Sequence, residues 1–116
     1  MTCSSVINSI YENSYQEISL PFYTDATLTT LADANDYVEA EYRIYSTGSC
    51  VALFSASLGS GIAIVGTTFV LTINETDIDF SGDGYTHVFR VAESAGQLQP
   101  PLFDSQLTIY PVCAVT

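Results

Sequence analysis

The sequence of 116 residues contains no lysine and no tryptophan, and its only strongly basic side chains are Arg43 and Arg90. Against these two arginines stand 13 aspartates and glutamates, so the formal net charge at pH 7 is −11. Proteins that bind nucleic acid or anionic lipid headgroups use lysine and arginine for their phosphate contacts. We therefore expect neither nucleic acid nor a membrane among the partners. The acidic excess fits solubility, a host living in salty water, or a partner with a basic surface.

Cysteine and histidine are also scarce. The three cysteines, Cys3, Cys50 and Cys113, form no CxxC pair, and His87 is the single histidine. This set matches no familiar spacing of zinc ligands, and we predict neither a metal site nor a cofactor. The thiols are expected to be reduced and buried or half-buried. A disulfide between Cys3 and Cys113, which lie near the two ends of the chain, is the alternative.

Long apolar runs are missing as well. No hydrophobic stretch reaches the length of a membrane span, although 47% of the residues are hydrophobic. Residues 1–10 lack a basic region followed by an apolar core, so we expect no secretory signal. The length and the hydrophobic content fit one folded domain with a core of its own.

Short alternating segments separated by turn residues are what the chain does contain, and they predict β-strands. The clearest segment covers residues 37–45, in which Val38, Ala40, Tyr42 and Ile44 are expected to face the core. Residues 1–13 are mostly polar and irregular, and we expect them to form an N-terminal arm outside the core. Residues 14–116 are predicted to form one all-β domain.

A turn that starts a strand with a tyrosine refines this prediction. Asp83-Gly84-Tyr85 begins an alternating segment in which Tyr85, His87, Phe89 and Val91 share one face. In immunoglobulin-like (Ig-like) sandwiches a tyrosine near the start of a late strand ties the preceding turn back onto the sheet. The sequence therefore predicts a single Ig-like, Greek-key β-sandwich.

Candidate chemistry is sparse. Nucleophilic catalysis needs a base beside a serine or cysteine, but His87 lies in mid-strand, where a packed structural histidine belongs. Residues 77–83 start like a calcium loop, yet the twelfth position, which should be glutamate, is Val88. We expect this segment to be a solvated acidic turn anchored by Ile78 and Phe80, and we predict no catalytic residue.

An outward sheet face is the best candidate for a contact surface. Tyr37, Glu39, Glu41 and Tyr45 alternate with the expected core residues of the same strand, and tyrosine provides rigid contact area with a polar tip. The alternative is an ordinary solvated face of the sheet.

Several of these segments together resemble a known family. They are residues 38–45, 51–62, 69–73, 84–91 and 107–111. The chain is similar, over about residues 15–112, to the small Ig-like β-sandwich proteins of tailed bacteriophages, which include stand-alone virion proteins and the N-terminal domains of upper baseplate proteins. Gly84 and Tyr85 match the family's corner, and the family has no catalytic residues to transfer.

The resemblance implies a virion structural protein rather than an enzyme. Within that class we expect an accessory capsid decoration (cement) protein, because the sequence shows a single sandwich with an acidic surface and no fibre or receptor-binding module. Its partners would be other virion proteins, the major capsid protein first, and further copies of itself in a homo-oligomer. It would be located in the virion after assembly in the host cytoplasm. The alternatives are a tail, baseplate or neck adaptor, and a surface carbohydrate-binding module.

Overall fold

A computed structural model describes residues 3–4, 9–24 and 30–112 of the chain. Within these ranges the regular structure is β-sheet, apart from one turn of 3-10 helix over Ala34–Asp36. The all-β prediction is therefore confirmed. The strands, in chain order, are β1 (Cys3–Ser4), β2 (Ser9–Tyr11), β3 (Gln16–Leu20), β4 (Phe22–Tyr23), β5 (Glu39–Ser46), β6 (Ala52–Leu58), β7 (Gly61–Val65), β8 (Thr68–Ile73), β9 (Gly82–Ala92) and β10 (Phe103–Tyr110).

Eight of the strands form one mixed sheet, in the order β2-β10-β9-β5-β6-β7-β8-β3, while β1 and β4 pair separately. Most neighbours are antiparallel, but β2 runs parallel to β10 and β6 runs parallel to β7. The contact between β6 and β7 is short, since only Ser57 and Leu58 pair with Gly61 and Ile62. The sheet is therefore narrowest at this point.

The sheet curls so that its two halves face each other. Phe69 in β8 and Phe89 in β9 are separated by three strands in the sheet order, yet their ring centroids lie 6.0 Å apart. Phe22, in β4, also reaches Phe89, with 6.3 Å between ring centroids. The core fills the inside of this curl, and Phe69, Leu71 and Ile73 point into it.

The start of β5 departs from the prediction. Tyr37, expected to face outward, is only 7% exposed, and Val38, expected in the core, is 53% exposed. The reason is the 3-10 turn, which Asp33 caps by accepting a 2.9 Å hydrogen bond from the Asn35 N–H. The strand begins only at Glu39, so the in–out alternation of β5 does not extend to Tyr37. The Tyr37 ring instead packs edge-on against Phe22.

The N-terminal segment also differs from the expected arm. Ser9, Ile10 and Tyr11 pair in parallel with Thr108–Tyr110, and Ile10 is fully buried. In Ser9-Ile10-Tyr11 the apolar residue points inward and its two neighbours point outward, which is the alternation of a half-buried strand. Ser9–Tyr11 therefore belong to the eight-stranded sheet, and Ile10 contributes to the core.

One side chain closes the gap between the two ends of the sheet. β2 and β3 follow each other in the chain but lie at opposite ends of the strand order. The Gln16 amide nitrogen donates to the Tyr11 carbonyl at 2.9 Å, and its oxygen accepts from the Tyr11 N–H at 3.0 Å. Gln16 thus occupies the hydrogen-bonding edge of β2 as a neighbouring strand would.

The expected tyrosine tie is present at the start of β9. The Tyr85 hydroxyl donates to the Ser81 carbonyl at 3.3 Å, and its ring lies against Phe80 with centroids 5.1 Å apart. Further along the strand, His87, Phe89 and Val91 are buried on one face, as predicted.

Candidate interaction surfaces

The predicted contact face retains three of its four residues. Glu39, Glu41 and Tyr45 lie half-exposed on the outer side of β5, whereas Tyr37 is buried. Glu39 accepts a hydrogen bond of 3.3 Å from the Gly96 N–H, which attaches the loop after β9 to this face. The face is thus acidic and partly ordered by its own contacts.

Both arginines are engaged within the protein. The Arg43 guanidinium lies 3.0 Å from the Glu41 carboxylate, and Arg90 donates to the carbonyls of Gln99 at 3.0 Å and Leu98 at 3.4 Å. Since these are the only arginines and the chain has no lysine, unpaired carboxylates dominate the surface charge. A protein partner that bound this surface through ion pairs would have to supply the basic side chains.

An exposed pair of tyrosines was not predicted. The rings of Tyr11 and Tyr110 lie 5.6 Å apart and both are largely exposed. The pair exists because the parallel register of β2 and β10 places these two residues side by side. Since Tyr11 falls in the expected arm and Tyr110 lies almost a hundred positions away, only the strand register could have revealed it.

His87 is fully buried, and its Nδ1 lies 2.9 Å from the Tyr42 hydroxyl oxygen. Burial lowers the pKa of His87 to about 4, so the ring is neutral at pH 7. Its Nε2 has no hydrogen-bond partner among the residues that the structure describes. The Phe103 ring lies against the imidazole ring of His87, with ring centroids 4.6 Å apart. This environment is that of a packed histidine.

The acidic turn after β8 is held by its own hydrogen bonds. The Asp77 carboxylate accepts from the Asn74 N–H at 2.8 Å, and Ile78 is buried, as predicted. The Ile78 carbonyl accepts from the Asn13 N–H at 2.7 Å, which ties the turn to the segment between β2 and β3. Within the described ranges, no group of three or more histidine, cysteine, aspartate or glutamate side chains is placed to hold a metal ion.

Cys50 has an exposed thiol in the turn between β5 and β6, which differs from the expected buried or half-buried position. The alternative pairing of Cys3 with Cys113 lies outside the described residues.

A long stretch of the sequence carries no charged side chain. Residues 46–74 contain no aspartate, glutamate, lysine, arginine or histidine, although the rest of the chain is strongly acidic. This charge-free segment contains β6, β7 and β8, which are adjacent in the sheet. The signal was visible in the sequence, but only the strand order shows that it forms one continuous part of the surface.

No model of a known protein family matches the chain, and no curated protein matches it. Among the described residues there is also no helix long and apolar enough to cross a membrane. The function must therefore be inferred from the surfaces themselves.

Proposed function

We propose that the protein is a structural component of a tailed-bacteriophage virion, an Ig-like sandwich that decorates the capsid by binding the major capsid protein. The observation that carries the proposal is the strand order. We match β10-β9-β5-β6 to strands G-F-C-C′ of an Ig-like domain and β7-β8-β3 to D-E-B, and this match supports the Ig-like part of the proposal. The tie from Tyr85 to Ser81 sits where a tyrosine corner belongs in this order.

The charge distribution supports binding to a basic protein surface. The carboxylates of Glu39 and Glu41 share the outer side of β5 with half-buried Tyr45, so the face combines negative charge with aromatic contact area. Arg43 pairs with Glu41 within this face and Arg90 is engaged with the loop after β9, so the face offers no free basic group. Its remaining negative charge is complementary to a capsid surface that presents lysine and arginine.

The decisive experiment is the copy number per particle, measured by quantitative mass spectrometry against the major capsid protein in virions of the phage that encodes this chain. A copy number comparable with that of the capsid protein is expected. A few copies per particle would instead support the tail, baseplate or neck adaptor, and absence from purified particles would overturn the virion proposal.

A binding experiment tests the β5 face directly. Purified protein is added to particles that lack it, and the temperature at which they release DNA is recorded. The Glu39→Gln/Glu41→Gln variant should bind less and raise this temperature less than the parent protein. Glu75→Gln/Asp79→Asn removes the same charge from the acidic turn and serves as the control. Equal loss in both variants would argue against the β5 face.

The exposed pair of Tyr11 and Tyr110 favours a second candidate, carbohydrate binding, because exposed aromatic rings stack on sugar faces. If that function held, the isolated protein would bind glycans on an array and Tyr110→Ala would abolish the binding. Tyr45→Ala, which changes a tyrosine on β5, is the matched control. The decoration proposal expects no glycan binding by any of the three proteins.

A further inference from the structure

The sheet has several free edges, and most of them carry a feature that discourages pairing with another chain. Glu17 on β3 adds a charge, and Pro21 follows the end of that strand. The Gln16 side chain covers part of the edge of β2.

The edge of β7 has none of these features. β7 pairs with β8 through Ile62–Val65 without a register shift, and its sequence Gly-Ile-Ala-Ile-Val contains no charge and no proline. On its other side only Gly61 and Ile62 pair with β6. Uncharged, proline-free strands of high β-propensity at an exposed edge are templates for strand addition.

The backbone groups of Ile64 face this open edge. The Ile62 carbonyl accepts a 2.9 Å hydrogen bond from the Gly59 N–H and therefore points away from β8. Because backbone direction alternates along a strand, the N–H and C=O of Ile64 point the same way. Among the described residues, no strand pairs with Ile64 on that side.

Charge determines which partner fits this edge. Two copies that each carry a net charge of −11 repel one another wherever their acidic surfaces approach. The charge-free segment, residues 46–74, is the part of the chain through which they can meet without bringing carboxylates together. Exposed Ala63 and Val65 add apolar area at the same edge.

We infer that two copies of this protein associate through β7, with the strands antiparallel about a two-fold axis and the Ile64 N–H and C=O exchanged between them. In this register Val65 of each copy lies opposite Ala63 of the other. The dimer would extend the sheet across the axis and leave the acidic faces of both copies exposed. This inference concerns the isolated protein, so its test does not depend on what the protein binds in a particle.

Analytical ultracentrifugation over a range of concentrations tests the inference. The parent protein should form a dimer of twice the 12.5 kDa monomer mass. The Ala63→Glu/Val65→Glu variant places four carboxylates at the axis, and its dimer dissociation constant should rise by about tenfold or more. Ser94→Glu/Gln97→Glu adds the same charge to an exposed loop after β9 and should dimerise like the parent.

Charge complementation identifies the register. Ala63→Lys/Val65→Lys should dimerise poorly alone but form a heterodimer when mixed with the glutamate variant, because opposite charges then face each other. Hydrogen exchange at the Ile64 amide should slow as the parent protein dimerises. Circular dichroism checks that each variant remains folded. A parent protein that stays monomeric, or a glutamate variant that dimerises unchanged, would overturn the inference.

Discussion

The buried pair of His87 and Tyr42 joins neighbouring strands of the curled sheet. His87 in β9 pairs with Ile44 in β5, so the Tyr42 side chain reaches it from two positions along β5. Phe103, from β10, covers the imidazole ring. The mid-strand position of His87 predicted a packed role, but its three-strand environment depends on register, which the sequence does not reveal.

Burial of His87 makes the stability of the protein depend on pH. In the unfolded chain a histidine titrates near 6.5, whereas the folded protein holds the pKa of His87 at about 4. Between these values only the unfolded state takes up the proton, so the free energy of unfolding falls as the pH drops from about 6.5 to 4. The loss attributable to this residue should reach up to about 3 kcal/mol.

Urea unfolding at several pH values between 7.5 and 4 measures this effect, with His87→Gln as the reference. The variant retains all carboxylates, so their contribution to the pH dependence cancels in the comparison. Its stability at pH 7.5 should be lower, but it should lose less on acidification. Identical pH profiles for the two proteins would show that His87 is not buried as a neutral ring.

At the scale of strands, the connection between β6 and β7 contains two glycines with positive φ. Gly61 has a φ of +96°, and a Cβ atom placed there would lie 2.9 Å from the Ala56 Cβ. Gly59, two residues earlier, has a similar φ of +90° but open space around it. An alanine at either position would have a strained backbone, but only an alanine at position 61 would also collide with a neighbouring side chain.

Gly61→Ala should destabilise the protein by more than Gly59→Ala does. Both alanines suffer the unfavourable left-handed backbone, at about 1–2 kcal/mol each. Only the alanine at position 61 also collides with Ala56, and such overpacking typically costs a further 1–3 kcal/mol. Denaturant unfolding of both variants measures the difference. Equal losses would mean that the close approach of β6 to Gly61 relaxes without penalty.

Alternation predicted the strands that lie well inside the sheet. The shared face of His87, Phe89 and Val91 in β9 was correctly predicted, as was the burial of Ala40, Tyr42 and Ile44 in β5. Prediction failed where a neighbouring element changed the geometry, as at Tyr37 after the 3-10 turn. It also failed at Ile10, whose burial depends on pairing with Ile109 at the far end of the chain. Such long-range pairing leaves no trace in local periodicity.

At the scale of the whole molecule, charge is unevenly distributed. All 13 acidic residues lie outside residues 46–74, on the remainder of a chain with only two arginines. Composition alone predicted an acidic surface, and Glu39, Glu41 and Tyr45 of the predicted face do lie together on β5. Only the strand order shows that the charge-free strands β6, β7 and β8 are adjacent, so that the acidic residues lie on the rest of the surface.

The same charge excess predicts stabilisation by salt. Mutual repulsion among carboxylates opposes the compact state, and mobile ions screen it, with a Debye length that shortens from about 30 Å at 0.01 M to about 3 Å at 1 M salt. The melting temperature should therefore rise between low and high sodium chloride.

Thermal unfolding followed by circular dichroism checks this expectation. Chloride is preferable to sulfate, which stabilises proteins by exclusion from their surface. Neutralising two carboxylates of the acidic turn, as in Glu75→Gln/Asp79→Asn, should reduce the dependence on salt. A melting temperature that falls as chloride is added would contradict the charge argument.

The parallel pairing of β2 with β10 has a mechanical consequence. A force that pulls the segment before Ser9 away from the segment after Tyr110 acts along both strands in opposite directions. All backbone hydrogen bonds between the two strands are then loaded together in shear, instead of opening one after another as in a zipper. The two strands would therefore resist stretching as a unit, and the core behind Ile10 would be exposed only after this pair of strands slips.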